Sequence, residues 1–193
     1  MRSSAIRTTC TGIAALFALL ALAPLKAADS ELCLGIASAR LAPEHSNQSS
    51  RPLPGITLGA GIKLLQRDEF DLRQQILLIT RGGRIATVGD LYLHNITLYL
   101  GTPLVASFMF EPLHPAALEL GFQPAYLIMG INDLGVIQNT QSLDLGLLAG
   151  IRLEFSSCSL TLRWKQGLRP VVDDHRQHSI GLVFAIRMAR GES

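Results

Sequence analysis

The sequence predicts an all-β fold, a single eight-stranded antiparallel up-and-down barrel that crosses a membrane with its strands. Apolar and polar residues alternate with period two in eight segments, each long enough to cross a bilayer at a tilt. The segments are joined by stretches rich in turn-forming residues. A composition of 48% hydrophobic and 17% charged residues excludes a disordered chain. The net charge of +2, without a run of Lys or Arg, excludes an extended nucleic-acid groove.

The first 27 residues have the features of a cleaved secretory signal peptide. Arg2 and Arg7 supply the positive start, Ile13 to Leu25 the apolar stretch, and Leu25-Lys26-Ala27 the cleavage site. The apolar stretch is too short for a spanning helix. We therefore expect an exported chain whose one domain, residues 28–193, carries 14 basic and 15 acidic residues.

The predicted strands are about 10 to 14 residues long, whereas strands of soluble proteins average five or six. A tilted strand needs about 9–11 residues to cross a bilayer, and bacterial barrels have an even number of strands. The run from Gly101 to Pro115 is the one stretch without a clear pattern. The predicted strands cover residues 31–41, 54–65, 71–82, 88–101, 116–129, 142–155, 158–169 and 178–189.

The two faces of these strands differ sharply. One face carries almost only large apolar residues, and the other carries polar residues and most of the strand glycines. Glycine on a solvent-exposed strand face would weaken the strand without packing against anything, whereas inside a narrow barrel it makes room. We therefore predict that the polar face lines the interior, although a soluble periplasmic carrier of the calycin type would place it outside. The predicted interior polar network is Lys63, Arg73, Gln75, Glu119, Gln123, Asp144, Arg152, Arg163, Lys165 and Arg187.

With Arg81 and Glu154 on the same face, the predicted interior holds seven basic and three acidic residues. Buried charges are costly unless they are paired. We therefore expect Glu119 and Asp144 each to bridge to at least one basic residue. Because the interior of an eight-stranded barrel is just filled by side chains, a diffusion pore is not expected.

Residues near the last strand contain the ingredients of a hydrolase. His175, His178 and Ser179 could form a catalytic group with Asp173 or Asp174. However, adjacent residues of a strand point to opposite faces, and the sequence has no G-x-S-x-G motif. The same His and Asp residues resemble metal ligands, but such clusters are common in loops that bind no metal. We predict no catalytic residues, no metal and no cofactor.

Two cysteines, Cys33 and Cys158, follow the predicted signal peptide. Export permits a disulfide between them. In the predicted barrel one strand separates them, about 10 Å of sheet, whereas a disulfide needs Cα atoms within about 7 Å. The start of the chain would have to bend to close this gap, so the sequence leaves the pairing open.

Four segments resemble strands of the PorT-like outer-membrane β-barrel family. Leu72–Gly82 is similar to its "LQPELLYSQKG" strand, Asp90–Ile96 to "DYLEIP", Leu118–Gln123 to "LEAGPQ" and Leu145–Leu153 to "GLGYKL". The order of the segments fits the family over roughly residues 31–189. The resemblance implies an eight-stranded barrel in the outer membrane of Bacteroidota-like bacteria, without known catalytic residues.

Together these observations predict a small porin-family barrel of the Gram-negative outer membrane. Its expected role is structural, binding or in envelope assembly, and it is not expected to be an enzyme. The alternatives are a soluble periplasmic calycin-like carrier and an outer-membrane lipid hydrolase. The expected partners are outer-membrane lipid, the barrel-assembly machinery and an envelope protein, and nucleic acid is not expected.

Overall fold

The computed structural model describes residues 30–43, 50–86, 92–109, 115–133, 135–136, 142–172 and 175–188. The predicted signal peptide lies outside these residues. No helix among them is long and apolar enough to cross a membrane. The described residues form ten strands: β1 (Ser30–Pro43), β2 (Ser50–Gln66), β3 (Phe70–Ala86), β4 (Tyr92–Gly101), β5 (Leu104–Met109), β6 (Ala116–Asn132), β7 (Gly135–Val136), β8 (Leu143–Glu154), β9 (Cys158–Val172) and β10 (His175–Arg187).

These strands close into an eight-membered antiparallel ring. Strand β1 pairs with β2 on one side and with β10 on the other, which joins the first and last strands of the barrel. Strands β4 and β5 together occupy one place between β3 and β6, and the two-residue β7 only extends the β6 edge. The predicted eight-stranded up-and-down barrel is therefore confirmed.

Strand β5 was not predicted, because the run from Gly101 to Pro115 lacks clear alternation. The structure continues the ladder across a short break at Thr102 and Pro103. The Pro103 carbonyl accepts a hydrogen bond from the Gln75 amide at 3.0 Å, and the Thr102 amide donates to the Pro124 carbonyl at 2.9 Å. Proline lacks an amide donor, but its carbonyl still serves the ladder. Small inward residues of β5, such as Ser107, hide the alternation in the sequence.

Strands β2 and β10 begin earlier than predicted. Pro52 and Pro54 indicated a connection, but both belong to β2, whose register with β3 shifts between Pro52 and Thr57. A strand tolerates proline at such an irregularity, where a ladder bond is already missing. Strand β10 starts at His175 instead of residue 178, so His175 is a buried strand residue and not part of a solvated loop.

The polarity of the barrel is inverted relative to a water-soluble protein. Outward positions of β1 carry large apolar side chains, and Ile36 is 64% exposed. Inward positions carry charge, and Arg73 and Asp144 are both 0% exposed. A water-soluble barrel needs the opposite arrangement, whereas a lipid-facing barrel needs this one. The exterior therefore suits a hydrocarbon environment and not the aqueous periplasm of the calycin alternative.

The two ends of the barrel differ in their connections. Ser30 and Arg187 lie at one end, together with two three-residue connections, 67–69 and 155–157. The opposite end carries the longer connection from β6 to β8. We call these the turn end and the loop end. Since bacterial barrels place short turns in the periplasm, we expect the turn end to face the periplasm.

Candidate functional site: the polar interior

Because side chains alternate between the two faces of a strand, charged residues from strands all around the ring point into the barrel. They form two groups, separated by an apolar layer that includes Leu77, Ile79 and Val183. The turn-end cluster consists of Glu31, Asp71, Arg73, Glu119, Arg152, Glu154, Arg163 and Arg187. The loop-end cluster consists of Arg81, Asp144, Lys165 and Gln177.

Glu119 of β6 lies at the centre of the turn-end cluster. Its Oε1 atom lies 3.3 Å from Nη1 of Arg73 and 3.5 Å from Nη1 of Arg152. Its Oε2 atom accepts a hydrogen bond of 2.9 Å from Nη2 of Arg163. The sequence predicted at least one basic partner for Glu119, and the structure supplies three from three different strands.

A second carboxylate, Glu154, joins the same arginines at the turn end. It lies 2.8 Å from Nη2 of Arg73 and 3.0 Å from Nε of Arg152, and it also pairs with Arg187. Each carboxylate is shared by several guanidinium groups, and each of Arg73 and Arg152 meets several carboxylates. This sharing connects the strands into one network across the interior.

Sequence analysis missed two acids of this network, Glu31 and Asp71. Glu31 lies 3.1 Å from Nη2 of Arg152, and Asp71 pairs with Arg73. Among the described residues the interior therefore holds seven basic and five acidic side chains, and the predicted excess of four positive charges falls to two. The strand alternation contained the signal, because Glu31 shares a face with Cys33 and Asp71 shares a face with Arg73.

Gln75 links neighbouring charges within the turn-end cluster. Its Nε2 donates to Oε1 of Glu31 at 2.9 Å, and its Oε1 accepts from Nη1 of Arg163 at 3.1 Å. A side-chain amide can donate and accept at once, so it satisfies an acid and a base together.

Two predicted members do not join the ion pairs. Lys63 lies at the turn end, where β2 shifts register, and its Nζ donates to Gln66 at 3.4 Å. Gln123 carries no charge, is buried and lines an interior cavity. Both lie on the predicted face and close to the charged clusters, since Lys63 pairs across the sheet with Arg73 and the cavity beside Gln123 is also lined by Arg81 and Lys165.

The loop-end cluster is built around Asp144 of β8. Its Oδ2 pairs with Nη1 of Arg81 at 2.9 Å and with Nζ of Lys165. Nη1 of Arg81 also donates to Oε1 of Gln177 at 3.2 Å, and its guanidinium lies 5.7 Å from the ring centroid of Tyr99. One carboxylate thus pairs with two basic side chains, because basic residues outnumber acidic residues in the interior.

Gly146 makes room for the lysine of this cluster. A Cβ atom at position 146 would collide with Cε of Lys165. We expect Gly146→Val to displace Lys165 from Asp144 and to lower the free energy of unfolding by about 1–3 kcal/mol, the usual cost of overpacking. Urea titration of the folded barrel measures this loss. The control is Ala149→Val on the outer face of the same strand, and equal losses for both variants would contradict the steric role of Gly146.

Between the two clusters the interior is nearly filled. A cavity of about 40 Å³ remains, lined by Leu77, Leu148 and Val183 together with Arg81 and Lys165. A buried water needs roughly 10–15 Å³ of such space, so the cavity holds a few water molecules at most. Such packing is typical of eight-stranded barrels, whose interior is just filled by side chains.

Cys33 and Cys158 are both free. Cys33 faces the interior beside Gln75, whose Nε2 lies 3.7 Å from its Sγ. Cys158 directly precedes the buried Ser159 on β9, so its side chain points to the outer face of the wall. Strand β10 runs between Cys33 on β1 and Cys158 on β9. The disulfide that the sequence left open does not form in this structure, because the two side chains lie on opposite faces of the wall.

Among the described residues, the candidate hydrolase pair His178 and Ser179 does not come together. Ser179 lines the interior cavity, whereas Nδ1 of His178 lies 2.7 Å from Oε1 of Gln166. Asp173 and Asp174 lie outside the described residues. No group of three or more metal-ligating side chains occurs within the described part of the chain.

The loop end also contains a pair that the sequence did not indicate, Asp133 with His94. Oδ2 of Asp133 accepts a hydrogen bond of 2.9 Å from the His94 amide and lies 3.0 Å from Nδ1 of its ring. The backbone hydrogen bond from His94, followed by the ring contact, lowers the pKa of Asp133. The pair joins the exposed ends of β4 and β6.

Comparison with known proteins finds similarity of fold only. No protein-family profile matches the sequence, and no curated protein matches it significantly. Neisserial surface protein A has a TM-score of 0.55 at 13% identity, covering 82% of this chain and 97% of that chain. Ail of Yersinia pestis, solved with the heparin analogue sucrose octasulfate, has a TM-score of 0.49 at 14% identity, covering 83% of this chain and 99% of that chain. The outer membrane enzyme PagL has a TM-score of 0.37 at 15% identity, covering 80% of this chain and 99% of that chain.

The chain thus has the fold of the small outer-membrane barrels. Its apolar exterior and its ion-paired interior are the two features that this membrane environment requires. We therefore place the barrel in the outer membrane.

Proposed function

We propose that the protein is a non-catalytic outer-membrane barrel that acts as a rigid structural or binding element of the envelope. The shared ion pairs of the interior are the observation that carries this proposal. They connect β1, β3, β6, β8 and β9 through the middle of the barrel. A wall tied together in this way presents a fixed outer surface and a closed interior.

The contents of the interior favour this role over transport. A channel needs a continuous water-filled path, whereas here arginine side chains such as Arg73 and Arg152 fill the turn end. Hydrolysis would need a nucleophile and a base within hydrogen-bond reach. The divergence of His178 and Ser179 argues against that pair as a catalytic centre.

Conductance in planar lipid bilayers tests the closed interior. We expect purified, folded protein to give no large, steady ion current, because the charged side chains are paired across the lumen. Neisserial surface protein A is a control of similar fold, and a known porin is the positive control. A stable conductance on the porin scale would contradict the proposal.

The proposed partners follow from the outer surface and from the route of assembly. They are outer-membrane lipid around the wall, the barrel-assembly machinery during insertion, and an envelope protein. A closer relation to the PorT-like family is part of the proposal, supported by the order of the four similar segments. Fatty-acid release from lipid vesicles by the purified protein would favour the hydrolase alternative instead.

A further inference from the structure

The barrel wall is irregular where β2 meets β3 near the loop end. Between Pro52 and Thr57 the register of β2 against β3 shifts, and the intervening residues have no ladder partner on β3. The Thr80 hydroxyl takes the place of the ladder there, accepting from the Ile56 amide at 2.7 Å and donating to the Ile56 carbonyl at 3.3 Å. Because Pro54 lacks an amide donor, this part of β2 cannot form a regular ladder.

The outer surface beside this irregularity carries a groove of about 600 Å³. This volume lies within the range of about 300–1,000 Å³ that is typical of ligand sites. Ala37 and Gly181, which face each other across β1 and β10, add little bulk to the wall. The larger side chains along the groove are all apolar: Ile36, Pro54, Ile56, Leu162, Ile180 and Leu182.

Basic residues lie where the groove approaches the loop end. Arg40 is exposed and lies on the same outward phase of β1 as Ile36, four residues further along the strand. Four residues span about 13 Å, close to half of the roughly 30 Å hydrocarbon core. Arg51 is exposed on β2, directly before Pro52 of the groove. The ion pairs of the described residues leave Arg40 without a carboxylate partner.

We propose that this groove binds an acyl chain of a phosphorylated glycolipid of the outer leaflet, with its phosphate near Arg40 and Arg51. The apolar groove fits the chain, and the two arginines match the negative charge of the headgroup. The arginines adjoin the loop-end edge of the groove, and Ile36 lies about 13 Å further along β1, a length that fits within one leaflet. This inference rests on the proposed outer-membrane role, because it requires the loop end to face the outer leaflet.

Native mass spectrometry of the barrel in detergent micelles tests the site. The probes are bis-phosphorylated lipid A, phosphatidylcholine, and a deacylated glucosamine phosphate. Arg40→Gln removes one charge, and Ser38→Phe places a ring in the groove. The matched controls are Arg67→Gln, which removes an exposed charge at the turn end, and Ala106→Phe, which adds a ring on the outer face away from the groove.

We expect wild-type protein to retain lipid A in preference to phosphatidylcholine and to the deacylated probe. Arg40→Gln should weaken lipid A retention about fivefold, the effect of one arginine near an anionic surface. Ser38→Phe should abolish selective retention, whereas both controls should behave like wild type. Heat-modifiable gel migration verifies the fold of every variant. If Ser38→Phe does not fold, the lipid A retention of Arg40→Gln still tests the site.

Three results would overturn the proposal: equal retention of lipid A and phosphatidylcholine, equal retention of the deacylated probe, or unchanged lipid A retention by folded Arg40→Gln and Ser38→Phe. A steady ion conductance in planar bilayers would instead contradict the proposed closed interior. It would not affect the conclusion about lipid A binding. The two proposals therefore fail by different measurements.

Discussion

Replacing Glu119 by Gln should lower the free energy of unfolding by about 3–5 kcal/mol, the cost of removing one member of a buried ion pair. The carboxylate is 1% exposed and meets Arg73, Arg152 and Arg163. Glutamine preserves the shape but loses the charge, so three guanidinium groups lose their shared partner. Urea titration, followed by the fluorescence of Trp164, the one tryptophan of the chain, measures the loss.

Two further variants separate this effect from a general loss of charge. Glu69→Gln changes an exposed carboxylate in the turn before β3 and should alter stability by less than about 0.5 kcal/mol. Arg163→Gln removes the base that donates to Oε2 of Glu119. If the pair is coupled, the double variant should cost less than the two single variants together. If Glu119→Gln proved as stable as Glu69→Gln, the ion-pair network would contribute little to the stability of the barrel.

Replacing Leu147 by Arg should destabilise the membrane-inserted barrel by about 2–4 kcal/mol, the cost of a cationic side chain on the lipid face near the midplane. Leu147 lies outward on β8 and is 47% exposed, whereas the next residue, Leu148, faces the interior cavity. Refolding into lipid vesicles and urea titration of the inserted state measure the effect.

The comparison variant for the lipid face is Leu148→Gln. The interior cavity beside position 148 is lined by Gln123 and Lys165, so a new amide meets polar groups there. We therefore expect a smaller loss than for Leu147→Arg. Equal tolerance of the two substitutions would refute the assignment of the lipid and interior faces.

The sequence predicted the strands because alternation is a local property of a pleated chain. The predicted segment 142–155 corresponds to β8 and the predicted segment 158–169 to the main part of β9. Prediction failed for β5, where Pro103 and small inward residues obscure the pattern. It also underestimated β2, since Pro52 and Pro54 indicated a loop.

Alternation alone does not say which face points inward. The strand glycines decided the question in the sequence, because a glycine such as Gly146 has a use only where space is limited. In the structure, the side chain of Lys165 occupies the space beside Gly146. The location of the polar face could thus be inferred from local composition and elementary packing.

The partners of each charge were decided by the tertiary structure alone. Glu119 meets Arg73 across 46 residues of sequence, and Arg152 meets Glu31 across 121 residues. The alternation of side chains along each strand determines that these residues face the interior. Their positions along the barrel axis depend on how β1 closes against β10 and on the register of every strand pair. The same register, with β10 between them and their side chains on opposite faces, keeps Cys33 and Cys158 apart. Local sequence determines the face of a residue, and only the closed ring determines its neighbours across the barrel.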